Sequence, residues 1–288
     1  VGTSRRSFET RSGPVPGLVP LAPAFLVLLG LFVLPLTYFL VVSFWSVRAR
    51  VMRPDLTFKN YVATFADYGP TLANTVLLAL AIALLTTALA FGFAYVIRFR
   101  ARRFAEALLF LTLITLFGGY LVKIYAWKSI LGRDGILNLA LINLGVIDEP
   151  LSALIYSVNG IVITLTYFLL PFAVLPIYSN MRAIPDATLE ASRDLGAGAW
   201  RTLRWVVLPQ CERGILVAFT FSFLIAVGDY VTPRFVGGGA AMMGNFIEAQ
   251  FSFGFNWPMG SAMAFSVMGI SLTTVLLFRW LLRQWLGR

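Results

Sequence analysis

The chain has 288 residues, of which 59% are hydrophobic and only 12% charged, with a formal net charge of +10. A water-soluble domain carries about 25% charged residues, so this composition excludes one and points to a multi-pass membrane protein, in which any polar group left unpaired in hydrocarbon costs several kcal/mol. There is no histidine and a single cysteine, Cys211, which removes the commonest metal ligand and general base and rules out an internal disulfide.

Residues 1–19 read as a cytoplasmic N-terminal arm carrying Arg5, Arg6 and Arg11. Ser4-Arg5-Arg6-Ser7-Phe8 looks like a twin-arginine export signal, but the apolar run behind it is too long for a signal core. One membrane domain is expected over residues 20–288. Its first apolar stretch, about Leu18–Trp45, spans a hydrocarbon core of about 30 Å at about 1.5 Å per residue. Further spans are expected at about Thr71–Ile97, Ala107–Leu131, Leu154–Met181 (bent by Pro171 and Pro176), Gly214–Val231 and Met259–Trp285. Between the first two, Leu56–Tyr61 reads as a short surface helix. Gly135–Ile147 is apolar at helical spacing but too short to cross, and fits a helix lying in the outer interface. Gly237–Gly239 opens a glycine turn, and Met242–Phe251 a short helix ahead of Asn256-Trp257-Pro258.

The segment 182–213 is polar although it lies between two apolar spans. Asp186 reads as the cap of a short helix over Thr188–Leu195. Gly196 and Gly198 supply the backbone angles of a sharp turn. Ala199–Val207 forms a second short helix, with Trp200, Leu203 and Val207 on one face, and Pro209 marks a restart. Arginines of the N-terminal arm, of Arg98–Arg103, of this segment and of the C-terminal tail outnumber those on the opposite side (Arg48, Arg50, Arg53, Lys59, Arg133, Arg234). Positive residues favour the cytoplasmic side, so both termini and the 182–213 segment are expected there.

Two spans contain a charge: Lys123 in the third and Asp229 in the fifth. Such charges are expensive and tend to face a bundle interior or water. Gly228 and Pro233 flank Asp229 and allow the helix to unwind, exposing carbonyls. A carboxylate, carbonyls and the aromatic residues Tyr120, Tyr125, Trp127, Phe223 and Tyr230 suit a cationic solute, each aromatic face adding about 0.5–2 kcal/mol. Two other readings stay open: Asp229 caps a helix, and Lys123 reaches for the outer surface. A third is that the two pair with each other. No G-x4-G-K-[ST] phosphate loop is present, so the chain is not expected to hydrolyse ATP.

Glu190-Ala191-Ser192, Gly196 and Val206-Val207-Leu208-Pro209 resemble the motif E-A-A-x3-G-x9-I-x-L-P of permease subunits of bacterial binding-protein-dependent ABC importers. Ser192 replaces Ala and Val206 replaces Ile. The resemblance implies an all-α integral membrane protein with six transmembrane helices, the type I importer (MetI-like) permease fold, and a coupling helix at Thr188–Leu195 that docks on an ATPase. Glu190, Ala191, Asp194, Leu195 and Gly196 are the residues it assigns to that contact. Glu190 has an alternative in an intrahelical pair with Arg193. Gly228–Pro233, Gly237-Gly238, Met243-Gly244-Asn245, Asn256-Trp257-Pro258, Ile124–Trp127 and Leu131–Asn138 are similar to the B-type spermidine/putrescine permeases. That likeness implies uptake of a polyamine, or of another small amine or opine-like compound, across the bacterial inner membrane. The implied partners are a second, C-type permease subunit, two copies of a cytoplasmic ABC ATPase that uses ATP and Mg, a periplasmic binding protein and the lipid bilayer. No cofactor on this chain and no nucleic acid are expected. A self-sufficient secondary transporter and a non-transporting scaffold are the competing classes.

Overall fold

The computed structural model describes residues 21–49, 51–151 and 154–287; the N-terminal arm, Arg50 and Arg288 lie outside them. The fold is all-helical apart from one small hairpin. Helix α1 runs Ala22–Val42, α2 Lys59–Arg100, α3 Arg102–Phe117, α4 Tyr120–Leu131 and α5 Ile136–Asn143. Then come α6 Val158–Arg182, α7 Asp186–Asp194, α8 Ala199–Gln210, α9 Glu212–Gly228, α10 Val231–Val236, α11 Met243–Ser252 and α12 Trp257–Leu286.

Four of these (α1, α2, α6 and α12) are long and apolar enough to cross a membrane. The expected third and fifth spans are broken. The first turns by 103° where α3 meets α4, and the second by 68° where α8 meets α9. Counting each bent pair as one span restores six. The third span therefore departs from the expected continuous helix, and the break falls at Gly118-Gly119, where both glycines are extended. The expected surface helix at Leu56–Tyr61 is also corrected. Ser46–Arg48 and Val51–Arg53 pair as antiparallel strands β1 and β2. Beyond them α2 starts at Lys59 and runs without interruption through Pro70 into the membrane. Asn60 makes that start possible: its side-chain amide donates to the carbonyls of Ser43 (2.9 Å) and Trp45 (2.8 Å) at the end of α1.

The centre of the bundle is α2 against α6 and α9. Helix α2 presents small residues at helical spacing, with Ala79, Ala83, Thr86, Ala90 and Ala94 all buried. In lipid, helices associate through close van der Waals contact, which small side chains permit. Gly214 plays the same part on α9. A Cβ there would sit 2.6 Å from the carbonyl oxygen of Pro176 and 3.0 Å from the Cα of Ile177. Helix α6 passes through Pro171 and Pro176 as one element, and the side-chain amide of Asn180 donates to the Pro176 carbonyl at 2.9 Å.

Two apolar clusters result. One gathers Leu72, Ile82, Ile124, Leu165, Phe219, Phe223, Met243 and Met263. The other joins the opposite ends of α2, α6 and α9 (Ala94, Ile177, Ile215) to Ile184, Leu189 and Val207 of the 182–213 segment. Phe278 of α12 packs against both and stacks on Phe219 with ring centroids 3.6 Å apart. Helix α1 stands aside, with only 6% of its apolar window buried.

Candidate functional site

The 182–213 segment forms a small knob held from below. Ile184 (2% exposed) and Leu189 (7%) anchor it in the second apolar cluster. Helix α7 starts at Asp186, after an extended Pro185, and no side chain caps it. The expected capping role of Asp186 is therefore replaced by another. Its carboxylate pairs with Arg98 at the end of α2, and Arg102 stands 3.7 Å away. The guanidinium of Arg98 holds the Asp186 carboxyl below the usual carboxylate range, first by hydrogen bonding and then by charge. The two residues are 88 positions apart in sequence.

Helix α7 ends as the glycine predicts. Gly196 has φ +77°. Its N–H donates to the Arg193 carbonyl (2.8 Å), and the Ala197 N–H to the Ser192 carbonyl (3.1 Å). This is the Schellman arrangement, which needs a left-handed residue just past the helix. The Ser192 and Thr202 hydroxyls lie 2.9 Å apart and tie α7 to α8. Helix α8 buries Val207 but leaves Trp200 72% exposed, so the expected shared face of Trp200 and Val207 is split.

What remains outside is the set assigned by resemblance. Glu190, Ala191, Asp194, Leu195 and Gly196 are all exposed, Leu195 at 88%. Glu190 enters none of the ion pairs among the described residues, so its alternative pairing with Arg193 is not made. An exposed leucine beside unpaired carboxylates is a surface waiting for a partner, because a water-facing knob gains nothing from them.

The second candidate region surrounds the break after α9. The helix stops at Gly228 and Asp229 is extended. Asp229 is only 7% exposed. Its carboxylate accepts from the Val231 N–H at 3.0 Å and from the Thr232 N–H at 3.3 Å, at the start of α10. Of the readings open for Asp229, the structure realises the cap. The expected ion pair with Lys123 is absent among the described residues. The Lys123 ammonium sits instead over the Phe168 ring, 5.0 Å from its centroid.

The loosened backbone is also largely occupied. The Tyr230 carbonyl accepts from the Asn245 side chain at 2.7 Å, and the Pro233 carbonyl from the Gly237 N–H at 2.9 Å. Free carbonyls at these two positions are therefore not available, contrary to expectation. Gly244 of α11 lets this packing form, since a Cβ there would lie 2.9 Å from the Asp229 carbonyl oxygen.

The aromatic candidates divide. Tyr120 bonds the Thr232 hydroxyl at 2.7 Å and packs on Phe168. Trp127 is half-buried against Tyr167, and Tyr125 lies 51% exposed against Phe235. Phe223 is fully buried and stacked on Phe219, so here it contributes to the core rather than lining an opening. Tyr230 is 42% exposed and borders a hollow of about 530 Å³ together with Gly228, Gly244, Phe251 and Glu248. Glu248 also borders an adjoining opening of about 280 Å³ beside Arg234 and Asn245. It is the carboxylate that reasoning from span hydropathy misses, because it lies on α11, outside every apolar window. The amphipathic pattern of that short helix was the available signal.

A mostly helical bundle with broken spans and a protruding glycine-ended knob defines a type I importer permease. Residues 104–286 match the family described as binding-protein-dependent transport system inner membrane component. The chain belongs to that family and is a permease subunit of a binding-protein-dependent ABC importer, a multi-pass protein of the inner membrane. It is 31% identical over 224 residues to the spermidine/putrescine transport system permease protein PotB of Haemophilus influenzae, covering 77% of each chain. It is 32% identical over 232 residues to PotB of Escherichia coli, covering 76% of this chain and 84% of that one. With the inner membrane ABC transporter permease protein YdcU of Escherichia coli it shares 31% over 280 residues, 86% and 88% of the two chains. A solved bacterial ABC transporter for the import of the acidic polysaccharide alginate matches with a TM-score of 0.69 at 15% identity, over 92% of this chain and 94% of that one. At that identity the likeness concerns the fold.

Proposed function

We propose that this subunit moves a polyamine of the spermidine/putrescine kind from periplasm to cytoplasm, with its knob and both termini on the cytoplasmic side. The observation that carries the coupling role is the exposure of Glu190, Ala191, Asp194 and Leu195 above buried anchors. The relatives named for spermidine and putrescine support the substrate class. Tyr230 and Glu248 at the 530 Å³ hollow add an aromatic face and an accessible carboxylate, the two features that attract an organic ammonium.

A second permease subunit completes the translocation path, a periplasmic binding protein delivers the solute, and two cytoplasmic ATPases burn ATP with Mg. Each ATPase grips one knob. The free energy of ATP then acts as a difference in affinity between two states of the complex, and the coupling is reciprocal. This chain takes no part in hydrolysis. The test is uptake and ATPase stimulation by the reconstituted complex over a panel of spermidine, putrescine, 4-aminobutyrate and an opine. Stimulation by the polyamines is expected. A response confined to the amino-acid-like members would move the substrate assignment while leaving the importer class in place.

A further inference from the structure

The ends of α2 and α6, the start of α3 and the residues leading into α7 enclose a pocket of about 690 Å³. Four guanidinium groups (Arg98, Arg102, Arg103 and Arg182) line it against two carboxylates, Glu106 and Asp186. Asp186 is shared between Arg98 and Arg102. Arg103 and Arg182 enter none of the ion pairs among the described residues, and neither does Glu106. The Nε of Arg98 is buried without a hydrogen-bond partner. Convergent cations of this kind repel one another unless an anion joins them.

The position of the pocket selects the anion. It opens where two spans end, at the depth of lipid headgroups, and its wall continues into the apolar side chains of Ile97 and Leu109. A phosphate oxygen matches the fork of a guanidinium. Basic pockets between spans on the cytoplasmic side hold acidic headgroups. Resting on the cytoplasmic placement given above, we propose that this pocket seats the phosphate of an anionic phospholipid of the inner leaflet, with an acyl chain running along Leu109. Because Asp186 opens the coupling helix, the bound lipid touches the base of the knob.

The test uses the complete importer purified in mild detergent, with bound phosphatidylglycerol and cardiolipin read by native mass spectrometry. Wild type is expected to retain anionic lipid. Arg103→Gln with Arg182→Gln is expected to lower retention about tenfold, the scale of one lost charge-assisted contact. Arg103→Lys with Arg182→Lys, which keeps the charge, retains lipid and shows that the site still folds. Arg201→Gln removes a charge outside the pocket and leaves retention unchanged. Equal retention in wild type and the double Gln variant overturns the proposal. So does displacement of the lipid by millimolar inorganic phosphate, which assigns the pocket to the free ion, or a disulfide from Arg182→Cys to a cysteine-bearing ATPase. An impermeant thiol reagent should reach Arg182→Cys only in inside-out vesicles. Labelling from the outside sinks the orientation itself, whereas inside labelling with unchanged lipid sinks only the site.

Discussion

Two carboxylates near the break after α9 should respond in opposite ways to neutralisation. Asp229 is buried and its oxygens take the N–H groups of Val231 and Thr232. Thr232 itself has no exposed surface. Asp229→Ala leaves both N–H groups without that acceptor, and each unpaired buried group costs about 1–3 kcal/mol. Asp229→Asn keeps one acceptor oxygen, so the loss falls to the range of an altered helix cap, about 0.5–2 kcal/mol. Glu248 accepts only from Ser252 four residues on and borders open space. Glu248→Gln should therefore leave stability within about 0.5 kcal/mol while weakening polyamine uptake. The assay pairs apparent melting, followed by size-exclusion chromatography of the detergent-solubilised complex, with radiolabelled uptake into proteoliposomes. Expected are a lower melting temperature and proportionate loss of uptake in Asp229→Ala, a small effect in Asp229→Asn, and normal melting with reduced uptake in Glu248→Gln. If Asp229→Asn melts like wild type but transports nothing, the cap is not its role, and its charge meets the solute.

Three further outcomes follow from the packing and the knob. Gly214→Ala places a methyl against the backbone of Pro176 and Ile177; separating α6 from α9 should cost about 1–3 kcal/mol, read as a lower melting temperature, whereas Gly269→Ala, with nothing within 4 Å, should be neutral. Glu190→Ala and Gly196→Ala should each reduce transport per ATP hydrolysed in the reconstituted complex without lowering the melting temperature by more than the strain of one left-handed residue, about 1 kcal/mol; unchanged coupling in both would remove the docking role. The carboxyl of Asp186 is held below its ordinary value by Arg98, so its contribution to stability is present above about pH 3.9 and is lost as pH falls through the depressed value; wild type and Asp186→Asn should differ in melting temperature at neutral pH and converge in acid.

The apolar spans and the knob were legible in the sequence because each rests on a local signal. A window of hydropathy measures transfer free energy and finds a span whether or not its helix is continuous. For the same reason it passes over the two-residue break at Gly118-Gly119, although the glycine pair itself was visible. Gly196 was readable because a left-handed turn constrains one residue. What escaped depends on partners far away in sequence. Asp186 looks like a cap until Arg98 is brought beside it. Asp229 looks like a pathway charge until α10 turns its first N–H groups toward it. Phe223 looks like one more aromatic until Phe219 covers it.

These long-range contacts also explain how a push on the knob reaches the membrane. Ile184, Leu189 and Val207 share one apolar cluster with Ala94 of α2, Ile177 of α6 and Ile215 of α9. Close-packed interiors shift between discrete arrangements rather than deform gradually. Displacing α7 therefore carries the ends of three spans with it. Two polar ties add to the linkage: Arg98 holds Asp186 to α2, and Arg204 donates to the Trp285 carbonyl at 2.6 Å, binding α8 to the end of α12. Phe278 then connects that inner cluster to the one beneath Tyr230 and α11. Force applied at Leu195 thus has a continuous packed route to the break after Gly228, where the spans are already divided and the hollow bordered by Glu248 can open or close.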